Sequence, residues 1–217
     1  LIEKIFSDVN RSTGLIGTMY TKIGDQTIET KNTTPESLVL QKHFHQMLEA
    51  GVDTAIMEVS SHALHMGRVH GCDYDIAVFT NLSQDHLDYH KTMDEYQHAK
   101  SLLFSQLGNT FDPNKPKYAI LNADDSASEM YGKSTAAHVV TYGIDNDADF
   151  QARNIRMTSA GTTFEIVIKE KSYPINIQLI GKFSVYNVLA SIAAAYVSKI
   201  PLNKIIDSIE SVKGVDG

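Results

Sequence analysis

Thr54-Ala55-Ile56-Met57-Glu58-Val59-Ser60-Ser61-His62 reads as a short apolar strand that ends in a carboxylate and runs into a helix start. Ile76-Ala77-Val78-Phe79, followed by Thr80-Asn81-Leu82, repeats the strand without the acid. Neither run alternates apolar with polar residues, so both faces are expected to be covered, as in a parallel sheet. Working outward, Thr13 to Thr18, Tyr118 to Leu121 and His138 to Tyr142 are further short strands. Met19 to Thr30 reads as a hairpin turning near Gly24-Asp25. Pro35 to Ala50 has amphipathic helical spacing, with Thr34 as N-cap and Pro35 at the first helical position. Thr92-Met93-Asp94-Glu95 matches a capping box and opens a helix reaching about Leu107. This alternation predicts an α/β fold: a doubly wound, mainly parallel sheet with helices on both faces. From Phe150 to Leu179 strands follow one another without helices, which predicts a small antiparallel β-sheet, a subdomain over 150–179. Two helices, Phe183 to Lys199 and Leu202 to Val212, close the chain.

A chain of 217 residues, 42% hydrophobic and 21% charged, can bury a substantial core. Its net charge of −7 argues against a nucleic-acid partner. No apolar run approaches the roughly 20 residues that span a bilayer, so no membrane partner is expected. The single cysteine, Cys72, allows no internal disulfide and fits a reducing compartment, so a cytoplasmic location is expected. Leu1 to Phe6 looks like a helix already in progress, and Gly214-Val215-Asp216-Gly217 brings no terminating element. The chain therefore reads as one domain over 1–217, incomplete at its N-terminus and part of a longer protein.

Three segments could carry chemistry. Glu58 closes a strand at the edge where such sheets place ligands, and a carboxylate there can hold Mg2+ beside phosphate oxygens. It could equally cap the helix that begins at Ser60 or Ser61. Ser83-Gln84-Asp85-His86-Leu87-Asp88-Tyr89-His90 follows the next strand, expected on the same sheet edge, and its histidines and aspartates could bind a metal or serve only the loop's own backbone. Lys100 lies within the apolar stripe Tyr96, Ala99, Leu103, Phe104, Leu107. An ammonium there calls for a partner, for snorkelling to water, or for a function. Gly132-Lys133-Ser134-Thr135 imitates the tail of a phosphate-binding loop, but Ala127 stands where the first glycine belongs, and a helix precedes it. A genuine loop is expected just before residue 1. Asn32-Thr33-Thr34-Pro35 precedes a helix N-terminus, a place that favours anions. Asn187 could face a base or ribose, or be merely exposed.

Taken in order, Asn32-Thr33-Thr34-Pro35-Glu36, Met57-Glu58-Val59-Ser60-Ser61-His62-Ala63-Leu64, Phe79 to His90, Ala99-Lys100 with Leu103-Phe104, and Gly181 to Asn187 resemble the motifs of the Mur ligase family. Within it the resemblance is to the MurE-type branch, which adds the third peptide residue to UDP-MurNAc-L-Ala-D-Glu. It covers essentially the whole chain, which looks like the central, ATP-binding domain only. The resemblance implies Glu58, His86 and a carbamoylated Lys100 as catalytic Mg2+ ligands. It implies Asn32, Thr33, Thr34, Ser60 and Arg68 as the holders of UDP-MurNAc-L-Ala-D-Glu, and Asn81 and Asn187 as contributors to an ATP pocket. Two positions depart from it. Met66 stands where some members have glutamine, and Ser184 where many have asparagine.

The implied reaction is amide formation through an acyl phosphate, with ATP spent to ADP and a diamino acid, meso-diaminopimelate or L-lysine, as third substrate. The enzyme is expected to be a monomer of cytoplasmic peptidoglycan precursor synthesis, and the piece alone is expected to be inactive. A folate-extending ligase of the same superfamily is a rival reading, but it has no need of the Asn32 to Pro35 and Ser60 to His62 pair. A binding module that has lost catalysis is a second, opposed by the presence together of Glu58, His86 and Lys100.

Overall fold

The computed structural model describes residues 1–82, 87–110 and 112–214. They form two compact units, one of 6–73 and 84–103, the other of 1–5, 74–83 and 104–217.

The first unit is built on a four-stranded sheet: β1 (Thr13–Ile16), β2 (Tyr20–Ile23), β3 (Gln26–Glu29) and β4 (Thr54–Met57), in the order β3-β2-β1-β4. The hairpin turns where the sequence predicts. Ile23 pairs with Gln26 across Gly24-Asp25, and Gly24 supplies the positive φ of 56° that the turn needs. β1 and β4 run parallel, with Ile16 opposite Met57. α2 (Ser37–Glu49) covers this sheet through Leu40 and Met47. Met47 packs directly over Gly14, where a Cβ would stand 2.6 Å from its sulfur and force that side chain to move. α3 (Ser61–His65), α4 (Leu87–His90) and most of α5 (Met93–Gln106) complete the unit. α5 opens on the Thr92 cap, the first half of the expected capping box: Thr92 Oγ1 accepts from the Glu95 N–H at 3.2 Å, while the Thr92 N–H donates to the His90 carbonyl at 2.6 Å.

The second unit carries a six-stranded sheet of β5 (Ile76–Phe79), β6 (Tyr118–Asn122), β7 (His138–Gly143), β8 (Phe150–Thr158), β9 (Gly161–Ile168) and β10 (Lys171–Ile177). β5 to β8 pair parallel, and β8 to β10 antiparallel. The mainly parallel α/β class read from the sequence therefore holds. The antiparallel strands are not a sheet of their own, because Phe150 of β8 pairs with Tyr142 on one side and Ile168 on the other, continuing the parallel half. α6 (Ala127–Ser134), α7 (Lys182–Val197) and α8 (Leu202–Glu210) pack in this unit. α7 buries nine residues, Val185 and Val188 to Ala195, which is why its sequence is apolar almost all round. Phe79 of β5 meets Tyr131 of α6 edge to face at 4.8 Å.

Three local expectations change. The strands Thr54–Met57 and Ile76–Phe79 are not buried on both faces: Ala55 is exposed, and Ile56, Met57, Ile76 and Val78 are half-buried. The two strands also belong to different sheets, each at an edge with one neighbour, so they do not share one sheet edge. Helix α2 starts at Ser37, not Pro35: Glu36 is extended (ψ 150°) and is the N-cap, its carbonyl accepting from the Leu40 N–H at 2.9 Å. No helix among the described residues is long and apolar enough to cross a membrane.

Candidate active site

Glu58 follows the last residue of β4, and its own backbone N–H continues the ladder to the Ile16 carbonyl at 2.8 Å. The side chain is exposed and turns onto the β1–β2 connection. Oε2 accepts from the Thr18 N–H at 3.0 Å and from the Thr18 hydroxyl. Gly17 leaves room for Oε1, which would lie 3.2 Å from a Cβ at that position. Glu58 is not the helix cap. That task falls to Ser60, whose Oγ accepts from the Ala63 N–H at 3.2 Å at the start of α3.

Thr34 organises the rest. It is 1% exposed, and its hydroxyl donates to the Glu58 carbonyl at 2.9 Å while accepting from the Ser60 N–H at 3.0 Å. It therefore caps nothing in α2, whose N-cap is Glu36 without a side-chain bond. Arg68 Nη1 donates to the Thr34 carbonyl at 3.1 Å, and Thr33 Oγ1 lies 3.2 Å from Thr18 Oγ1. The loop 32–36, the end of β4 and the start of α3 are thus fastened together, and Thr33, Thr34, Glu58, Ser60 and Arg68 form one cluster in one unit. Asn32 is exposed beside them.

His86 lies outside the described residues, as do Ser83, Gln84 and Asp85. Lys100 is half-buried on the stripe predicted for it, between the buried Tyr96, Ala99 and Phe104. Its Nζ stands 5.3 Å from the centre of the Tyr96 ring, a cation–π contact that steadies the ammonium. Tyr96 in turn stacks on His90 at 5.3 Å, and His90 Nε2 is 2.8 Å from Ser61 Oγ. This buried histidine, 3% exposed, links α3 to α5, whereas the sequence offers it only as one of two histidines of a polar segment that could bind a metal or serve its own backbone. Among the described residues no group of three or more His, Cys, Asp or Glu side chains could hold a metal. Glu58 brings one exposed carboxylate, its Oε2 bonded to Thr18, and carboxylate oxygen is the ligand type that Mg2+ takes beside phosphates and water.

The nucleotide candidates lie in the second unit. Asn81 is exposed just beyond β5, on a segment pinned from β6: Thr80 O accepts from Asn122 Nδ2 at 2.8 Å, and the Leu82 N–H donates to Asp125 at 2.8 Å. Asn187 is exposed on α7. Ser184 turns its hydroxyl back to the Ile180 carbonyl at 2.9 Å. Gly132-Lys133-Ser134 lies within α6, so the imitation phosphate loop is the end of a helix.

One carboxylate at this edge escaped the sequence reading. Asp124, just past β6, accepts from the N–H groups of Ile144, Asp145 and Asn146 at 2.6, 3.1 and 2.7 Å, and from Tyr186 Oη at 2.8 Å. Partial burial pushes its carboxyl up, but these four donors outweigh that and hold it below the ordinary carboxylate value. Burial, then the bond to Asp124, pushes the Tyr186 hydroxyl well above the usual tyrosine value. The signal for Asp124 is an acid two residues past an apolar strand, a weaker form of the one that singles out Glu58, which follows its strand directly.

The chain matches the Mur ligase middle domain over residues 1–195. It is 61% identical over its 217 residues to the UDP-N-acetylmuramoyl-L-alanyl-D-glutamate--2,6-diaminopimelate ligase of Bacillus licheniformis, and 64% identical to that of Halalkalibacterium halodurans. In both cases all of the chain aligns and spans 44% of the relative's length, so it covers less than half of these proteins. A solved structure bearing the same ligase name superposes with a TM-score of 0.88 at 32% identity, over 100% of this chain and 44% of that one. The MurF structure from Acinetobacter baumannii, 17% identical, shares the fold with a TM-score of 0.72 over 99% of this chain and 44% of its own. With matches of this extent and with the motif residues gathered around β4, the chain belongs to the Mur ligase family.

Proposed function

We propose that this chain is the ATP-handling middle of an enzyme that joins a diamino acid to UDP-MurNAc-L-Ala-D-Glu in cytoplasmic peptidoglycan precursor synthesis. The observation that carries the reading is the Thr34 junction, which holds Thr33, Glu58, Ser60 and Arg68 at one place. Relatives 61% and 64% identical are named as 2,6-diaminopimelate ligases, which favours diaminopimelate over L-lysine as the incoming residue.

In this reading Thr33, Ser60 and Arg68, with the exposed Asn32, hold the acidic dipeptide end. The D-Glu side-chain carboxylate attacks the γ-phosphorus of ATP, the bond to the bridging oxygen breaks, and ADP leaves. The amino group then attacks the acyl phosphate carbon, the amide forms, and phosphate and a proton depart. Glu58 and His86 would hold Mg2+, and a carbamoylated Lys100 would serve a second metal, the charge on the phosphoryl oxygens being spread by these ions. Asn81 and Asn187 would border the nucleotide. The enzyme is proposed to act as a monomer.

Lys100 is proposed to act as a carbamate. The neutral amine takes up CO2, loses a proton and becomes an anion with two oxygens, the ligand atoms Mg2+ prefers. Adduct formation gives up the cation–π contact with Tyr96 in exchange for metal ligation. The test is dipeptide-dependent ADP release by the full-length enzyme. Lys100→Ala is expected to abolish turnover with the fold intact, and Lys100→Arg to fail as well, because a guanidinium forms no such carbamate. Full activity of Lys100→Arg would contradict the role.

A further inference from the structure

Arg68 is held on two sides by the chain itself. Nη1 binds the Thr34 carbonyl, and Nη2 lies 2.7 Å from Oε1 of Glu36. The Met66 sulfur also accepts from Nη2, at 3.5 Å. Nε is buried without a hydrogen-bond partner, so a ligand can reach this guanidinium only through its terminal nitrogens. The two sides of the ion pair differ in freedom. The Arg68 side chain is 14% exposed and anchored, whereas that of Glu36 is 63% exposed, on the residue that caps α2 without a side-chain bond.

A guanidinium presents a planar set of donors that matches a carboxylate, and Glu36 supplies one from the loop next to Thr34. We propose that Glu36 is an internal competitor, occupying the nitrogen of Arg68 that a carboxylate of the acidic dipeptide substrate takes, and that it swings out when the substrate binds. The proposal rests on the reading of Arg68 as a substrate ligand. Because Glu36 is largely exposed, its release costs little, and the pair tunes affinity without blocking the site. Replacing the carboxylate by an amide removes the competing charge while keeping size and backbone.

The experiment is calorimetric binding of UDP-MurNAc-L-Ala-D-Glu to the full-length protein, with wild type, Glu36→Gln, Arg68→Lys and the double variant. Arg68→Lys keeps the charge but loses the fork, and its melting temperature checks that the fold is kept. The expected results are weaker binding for Arg68→Lys, binding about threefold tighter for Glu36→Gln, and a smaller gain from Glu36→Gln in the Arg68→Lys background. If Arg68→Lys weakens binding but Glu36→Gln weakens it too or leaves it unchanged, Glu36 supports Arg68 and the competitor role is overturned. If a folded Arg68→Lys binds as well as wild type, the substrate reading of Arg68 fails, and the proposal with it.

Discussion

At the scale of single residues, Thr34 shows how one hydroxyl can fix a site. It satisfies a carbonyl and an N–H on opposite sides of Val59, in part-buried bonds from a residue that is itself buried. Thr34→Val keeps the shape but leaves both groups unpaired, at a cost of about 2 kcal/mol, while Thr34→Ser keeps both bonds and should cost less than about 1 kcal/mol. Urea unfolding of the two variants checks this, and equal costs would contradict it. The local pattern draws notice to Thr34 but assigns its hydroxyl the wrong partner. Thr34 followed by Pro35 reads as a helix cap, yet its hydroxyl is spent across a separation of 24 residues, a contact that no local pattern encodes. Glu58 and Lys100 were legible because a carboxylate after an apolar strand and a lysine in an apolar stripe are both anomalies. His90 was not, since a histidine in a polar loop gives no sign of being buried against Tyr96 and Ser61.

At the scale of elements, Asp124 ties the end of β6 to the connection after β7 and to α7. The four donors depress its folded pKa. Its contribution to stability is therefore fully present above the unfolded carboxylate value of about 3.9 and is lost as pH falls through the lower folded value. Asp124→Asn, which swaps acceptor oxygen for an N–H facing those donors, should cost about 1 to 2 kcal/mol at neutral pH, with allowance for partial exposure. The gap to wild type should narrow on acidification in denaturant titrations at several pH values. A gap that stays constant into strong acid would assign the effect to packing instead. Element types were well predicted, because the hairpin turn and the Thr92 cap of α5 are local devices. Which strands share a sheet was not, because pairing depends on partners distant in sequence.

At the scale of the whole molecule, the two units divide the candidate residues between them. The first holds Thr33, Thr34, Glu58, Ser60, Arg68 and Lys100, and the second Asn81, Asp124 and Asn187. The sequence suggested a single sheet with Thr54–Met57 and Ile76–Phe79 inside it, whereas both are edge strands, of a four-stranded and a six-stranded sheet. Apolar runs alone could not reveal this, since an edge strand can be as apolar as a central one. The role proposed for these residues, amide formation on an acidic peptide substrate, can be tested on the full-length protein. The most direct measurement is product analysis by mass spectrometry after the full-length protein is given UDP-MurNAc-L-Ala-D-Glu, ATP, Mg2+ and either meso-diaminopimelate or L-lysine. One ADP should be released per tripeptide formed, with meso-diaminopimelate strongly preferred, whereas no UDP-MurNAc-tripeptide with either amino acid would contradict the proposed function.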